Sequence, residues 1–199
     1  MNRALDVIVA AAGLLATSPI LLAAVIAIRL DSPGPVLYRH LRVGRDGVPF
    51  ELWKLRTMVV GAEHQGAGLY IVDRDPRITR VGWLLRRFSL DELPNLLNVL
   101  QGDLAIVGPR PTVAVQVDRY TPRQRRRLEV KPGITGWAQV NGRTSLSWPE
   151  RIELDVWYVD NRSLALDLRI LVRTAKLLVT GQGLYSSELE QGWGEADPR

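Results

Sequence analysis

Apolar, uncharged residues fill positions 7–28, broken only by Thr17, Ser18 and Pro19. Such a run is long enough to cross a hydrocarbon core of about 30 Å, which predicts a membrane helix. It does not read as a cleaved signal peptide, because the apolar run is too long, the only basic residue of the leader is Arg3, and no cleavage site precedes the folded part; a signal anchor stays open. Pro19 lacks an N–H and clashes with the preceding turn, so the helix is expected to kink there. Each arm then has about ten residues, or about 15 Å of rise, which is half a bilayer. Two readings follow: a re-entrant helix that enters and leaves on one face, and a straight spanning helix that tolerates its proline. Arg3 on one flank and Arg29, Arg39 and Arg42 on the other favour the cytoplasmic side for both ends. Asp6 either pairs with a nearby arginine or faces water.

Beyond this segment the pattern changes. Asp31, Pro33, Gly34 and Pro35 end the helix. Residues 36–42 and 48–56, with imperfect alternation around Asp46 and Gly47, predict a β-hairpin. Lys54 and Arg56, two positions apart, are expected on one face, either as a paired phosphate contact or as solvated strand charges. Residues 61–76, rich in Gly and ending at Pro76, read as a mobile loop over a substrate. Helical spacing returns over 78–88 (Val81, Leu84, Leu85, Phe88), then through Leu93, Leu96, Leu97 and Leu100. Residues 104–107 form a short apolar run expected as a buried strand. Residues 131–137 and 141–143 are turn-rich, placing Trp137 and Arg143 on a loop that meets a nucleotide or the membrane interface. Leu164, Leu168, Leu171, Ala175 and Leu178 predict a last amphipathic helix. Residues 181–199 read as a flexible tail.

The fold class expected is therefore membrane-associated α+β. It comprises a membrane helix over 1–30, a membrane-surface domain over 31–180 with a β-hairpin and amphipathic helices on a small core, and the tail. At 199 residues and 46% hydrophobic content, one cored unit is the expectation. A net charge of +5 points to anionic partners. The densest basic run, Arg123, Arg125, Arg126, Arg127 and Lys131, suits acidic headgroups at about 1 kcal/mol per residue. No nucleic-acid motif accompanies it, so nucleic acid is not expected as a partner. The absence of cysteine and two isolated histidines exclude thiolate chemistry and argue against zinc, leaving magnesium on oxygen ligands open.

Chemistry concentrates between residues 89 and 111. Asp91 and Glu92 follow Arg86 and Arg87 and lead towards Arg110, which Pro109 and Pro111 flank. Paired carboxylates beside guanidinium groups suit phosphoryl transfer, since acids hold a divalent cation or attack phosphorus while arginines neutralise phosphate. A plainer reading is equally available: Ser89 and Glu92 have the spacing of a capping box that would start the following helix. Pro94 requires that helix to begin at or near Asp91 or to be distorted around the proline.

With these segments placed, the sequence resembles the bacterial sugar transferase family of small monotopic phosphoglycosyl transferases over residues 1 to about 180. The resemblance is carried by Ser18-Pro19, KLRTM at 54–58, DPRITRVG at 75–82, SLDELPNLLNVLQGD at 89–103, VGPRP at 107–111 and KPGITGWAQVNGR at 131–143. It implies transfer of a sugar phosphate from a UDP-sugar to polyprenyl (undecaprenyl) phosphate with magnesium, releasing UMP. It also implies a re-entrant helix bent at Ser18 and Pro19, on the cytoplasmic leaflet of the bacterial inner membrane. On matching positions, Asp91 is the implied nucleophile of a covalent phosphosugar intermediate. Asp91 and Glu92 are implied magnesium ligands, and Arg86, Arg110, Lys54 and Thr79 phosphate contacts. A homodimer, or association with downstream glycosyltransferases, is compatible with this reading. The competing expectation is a membrane-anchored basic binding or scaffold protein without catalysis.

Overall fold

A computed structural model describes residues 2–65, 75–142 and 146–180. The apolar segment forms one helix, α1 (Arg3–Asp31), that runs through Pro19. Its missing N–H would leave the Leu15 carbonyl without its usual donor, and the Ser18 hydroxyl donates to that carbonyl at 2.8 Å. The Thr17 hydroxyl also donates to the Gly13 carbonyl, at 2.7 Å. The Ser18 hydroxyl thus repairs the ladder that the proline interrupts.

Both ends of α1 pack on one body. Near the N-terminus, the Arg3 guanidinium donates to the Val99 carbonyl and, at 2.7 Å, to that of Leu100. These are the last carbonyls of α3 (Asn95–Gln101), where a cation is favoured. Asp6 is buried and accepts from the Ile106 N–H at 3.0 Å. Near the C-terminus, Ala24 and Ile28 pack with Val36, Leu55 and Leu85. Between these ends Leu15, Ile20 and Leu22 are exposed.

The hairpin forms as expected: β1 (Leu37–Val43) pairs antiparallel with β2 (Pro49–Leu55). Asp46 and Gly47 turn it with positive φ, a backbone state glycine adopts freely and aspartate tolerates. Helix α2 (Arg80–Arg87) lies so close to the strand exit that a Cβ on Gly82 would sit 2.0 Å from the Thr57 carbonyl. Only glycine fits there. Helix α3 is tied to β2 by the fully buried Asn98, whose amide accepts from the Trp53 N–H and donates to the Glu51 carbonyl at 3.1 and 2.7 Å. A side chain thereby supplies the hydrogen bonds another strand would give.

Strand β3 (Ala105–Val107) is the predicted buried strand. It pairs in parallel with β4 (Gly133–Thr135), inside a stretch that reads as loop from sequence. Short helices α4 (Ala114–Val117), α5 (Pro122–Arg125) and α6 (Trp137–Val140) lead to α7 (Trp148–Asn161), which Ser147 and Glu150 start as a capping box. Helix α8 (Leu164–Thr180) buries Leu166, Asp167 and Ile170. Leu164 and Leu168 of the predicted stripe stay exposed, so the helix docks on a face rotated from the one its leucines suggested. The main core joins Ala10, Leu52, Val99, Leu104, Ile106, Tyr158 and Ile170, from α1, β2, α3, the β3 segment, α7 and α8.

Candidate active site

Helix α2 ends at Arg87, and Ser89 takes a left-handed backbone (φ 53°), breaking the helix. Leu90–Glu92 form one 3-10 turn, Pro94 caps α3, and the chain resumes as helix from Asn95. The capping box expected of Ser89 and Glu92 does not form. Ser89 makes no side-chain cap, and the Glu92 carboxylate is drawn instead to two cations. A charge-assisted contact outweighs a neutral cap.

Lys54 Nζ and Arg110 Nη2 both donate to Glu92 Oε1, at 2.8 and 2.9 Å. Lys54 comes from β2, Arg110 from the segment after β3, and Glu92 from the helix break, so three separate elements converge on one oxygen. Burial alone would raise the pKa of Glu92, but Arg110 and Lys54 outweigh it and hold the group well below the usual carboxylate range. Asp91 behaves oppositely. Its burial is the largest influence and, with the adjacent Glu92, pushes its pKa up, against Lys54 and Arg86, which pull it down. Its own backbone N–H also favours the ionised form, as the smallest of these influences. Environments that push two neighbouring carboxylates apart are those that assign them different roles. Glu92 is the fixed anion, and Asp91 the less committed one.

Arg86 joins the cluster from the last turn of α2, its Nε donating to Thr57 Oγ1 at 2.8 Å. Thr79 caps α2, its hydroxyl oxygen accepting from Gly82 N–H at 2.9 Å. Trp137 is engaged elsewhere, stacked on Trp157 at 5.0 Å with the Arg173 guanidinium over its ring. Arg143 and most of the 61–76 loop lie outside the described residues. The described ends of that loop are fastened by Arg77, which pairs with Asp75 at 2.6 Å and donates to the Ala62 and Gln65 carbonyls.

Two expectations are corrected. Arg56 does not share a phosphate-facing row with Lys54: it is buried, donating to the carbonyls of Ser32 and Pro33 at 2.7 Å and clamping the turn after α1. Nor is the basic run at 123–131 one solvated surface. Arg123 pairs with Glu153, Arg126 with Glu129 and Asp160, and Arg127 is buried against Asp155. Acidic side chains, chiefly from α7, neutralise charges that looked free along the chain. Sequence reasoning also missed Thr57, whose carbonyl accepts from the Thr79 N–H and whose hydroxyl holds Arg86. Its only sequence signal is its place between Arg56 and Met58 in KLRTM.

The two carboxylates are hard oxygen donors suited to magnesium. Among the described residues no cluster of three or more acidic or histidine groups exists, so substrate phosphate and water would complete the shell. Magnesium usually binds proteins in that way, and the donor set fits.

An acid pair of split acidity, set among cations and beside an exposed apolar helix, suits an enzyme that handles phosphorylated substrates. The chain belongs to the bacterial sugar transferase family, whose model matches residues 1–181. It is 46% identical over 187 residues to the sugar transferase EpsL of Bacillus subtilis, covering 94% of this chain and 91% of the relative. A UDP-glucose:undecaprenyl-phosphate glucose-1-phosphate transferase of Caulobacter vibrioides is 43% identical over 193 residues, covering 92% of this chain and 72% of the relative. One of the same name from Escherichia coli is 42% identical over 184 residues, 87% of this chain and 39% of the longer relative.

Proposed function

We propose that the protein transfers a sugar 1-phosphate from a UDP-sugar to undecaprenyl phosphate or a similar polyprenyl phosphate, through a covalent intermediate on Asp91. A carboxylate oxygen of Asp91 attacks the sugar-bearing phosphorus. The bond from that phosphorus to the bridging oxygen breaks, and UMP leaves with the oxygen. A phosphate oxygen of the polyprenyl acceptor then attacks the same phosphorus, and the Asp91 carboxylate departs, leaving the polyprenyl diphosphate sugar. Holding the phosphosugar on an enzyme side chain lets a soluble donor and a lipid acceptor visit in turn.

The observation that carries this reading is the division between the two acids. Glu92 spends its charge on Lys54 and Arg110, while Asp91 keeps a carboxylate without a salt-bridge partner among the described residues. Arg86 and Arg110 bear on the phosphate oxygens, with Lys54 holding Glu92; Thr79, at the start of α2, stays as a further phosphate candidate. Trp137 and Arg143 stay as candidates for the nucleotide. Asp91 and Glu92 would hold magnesium, which when bound offsets the repulsion between a carboxylate and a diphosphate.

We place the protein on the cytoplasmic face of the bacterial inner membrane, with α1 re-entrant. A spanning helix would carry one end away from the catalytic body, whereas Asp6 and Ile28, near opposite ends, are both buried against it. The exposed stretch lies between them, around Ser18 and Pro19.

The test is a panel of UDP-sugars with undecaprenyl phosphate, read as UMP release, run beside Asp91→Asn with labelled donor. Wild type should acquire label and release UMP only with magnesium, and Asp91→Asn should do neither. Covalent capture of label by Asp91→Asn would remove the nucleophile assignment. A chain that binds membranes but releases no UMP from any donor would instead support the scaffold reading.

A further inference from the structure

Arg127 stands in the most basic stretch of the chain, yet it is only 2% exposed. Its guanidinium is held by the phenolic oxygen of Tyr120 and by Asp155 Oδ2 at 2.6 Å, both partners buried. Its third contact carries the argument: Nη2 also donates, at 2.8 Å, to the main-chain carbonyl of Arg110. Burying an ion pair costs desolvation that the attraction barely recovers, so the pair is weak evidence for stability as such. What it does here is deliver a rigid, charged donor to the backbone of a site residue.

Main-chain hydrogen bonds also fasten the segment on either side of Arg110. The Pro109 carbonyl accepts from the Gly133 N–H at 2.8 Å, and the Thr112 carbonyl from the Val43 N–H at 2.8 Å. Pro109 and Pro111 fix their own φ, and Pro111 confines Arg110 to extended backbone, which makes the Arg110 peptide a stiff joint between two anchors. Arg127 holds that joint from the interior, while the Arg110 side chain, half-exposed, reaches outward to Glu92 at 2.9 Å.

We propose that Arg127, braced by Asp155 and Tyr120, is a positioning residue for the transfer reaction. It sets the Arg110 backbone so that the guanidinium meets Glu92 and the substrate phosphate together. The proposal rests on the function argued above and adds to it a buried group that touches neither substrate nor metal. A misplacement of about 1 Å at such a site is enough for losses near 100-fold.

The test is a double-mutant cycle on the full-length protein in lipid nanodiscs, with kcat/KM from UMP release for wild type, Arg127→Lys, Arg110→Ala and the double variant. Melting temperatures are recorded for all four. Acting through Arg110, Arg127→Lys lowers kcat/KM about 10- to 100-fold alone, but less than about threefold when Arg110 is already alanine. A role in general stability instead lowers the melting temperature and reduces activity equally in both backgrounds, which overturns the proposal. So does an Arg127→Lys variant of undiminished activity. Should Arg127→Lys lack a cooperative melt, Tyr120→Phe, which removes one hydroxyl from the brace, takes its place in the same cycle under the same criterion. A wild type that releases no UMP from any donor defeats the underlying function and this proposal with it, whereas an active wild type with equal losses defeats the proposal alone.

Discussion

Replacing Lys54 by methionine tests the electrostatic design of the site most directly. Its ammonium lies 2.8 Å from Glu92 Oε1, with both side chains about one-fifth exposed. A hydrogen bond between charged groups, largely shielded from solvent, is worth about 1.5–3 kcal/mol net. If that interaction persists in the transition state, its loss lowers kcat/KM roughly 10- to 150-fold. The pH dependence separates this account from a simple loss of packing. Asp91 acts as the ionised form, and its folded pKa is raised, so activity is present above that pKa and fades as pH falls through it. Lys54 favours the ionised form and Glu92 opposes it. Lys54→Met should therefore move the acid limb to higher pH, and Glu92→Gln should move it lower, since the gain of removing a negative neighbour has the opposite sign. His40, on the strand face that carries Lys54, is held at about 4 by burial and by Arg42 and Lys54, so it does not titrate near neutrality. The assay is single-turnover UMP release between about pH 4.5 and 8, each point returned to neutral pH to check recovery. Limbs that move in the same direction for both variants would refute the reasoning.

Three further outcomes follow. Asn98→Leu leaves the Trp53 N–H and Glu51 carbonyl without their partner, at about 1–3 kcal/mol each; thermal unfolding in nanodiscs should begin roughly 5–12 °C lower, and an unchanged melting temperature would contradict the role given to Asn98. The chain has no cysteine, so Asn2→Cys and Asp46→Cys can be labelled singly without background; in inverted vesicles both should react with an impermeant maleimide, and protection of Asn2→Cys alone would mean that α1 spans. Chelation with EDTA should abolish UMP release and added magnesium restore it, while release that persists in EDTA would remove the metal from the scheme.

Local chemistry made the hairpin legible, because Asp46 and Gly47 supply the backbone freedom its turn needs, and the helix break was legible in Pro94. The clustering of Lys54 with Glu92 and Arg110 was not: Lys54 and Arg110 are 38 and 18 positions from Glu92, and tertiary packing of β2, the turn at Leu90–Glu92 and the segment after β3 brings them together. The strand at 133–135 was hidden for a related reason. Parallel pairing with β3 gives a three-residue segment its identity, and nothing in its own composition does. Arginines misled most. Arg56 and Arg127 look like surface charges in isolation, and their burial depends on carbonyls and a carboxylate supplied from distant elements. On α8 the leucine stripe competed with a second apolar row at Leu166 and Ile170, and periodicity alone does not say which row wins.

The attachment of α1 at both ends makes this long apolar helix a wall of the enzyme rather than a tether. Excising it to obtain a water-soluble catalyst would strip the cover from Leu55, Leu85 and Leu96 and leave the α3 carbonyls without the Arg3 guanidinium. Exchanging it for an unrelated anchor would restore residence at the bilayer but not those contacts. Solubilisation of this protein should accordingly proceed by supplying a lipid mimic, since shortening the polypeptide removes part of the active-site frame.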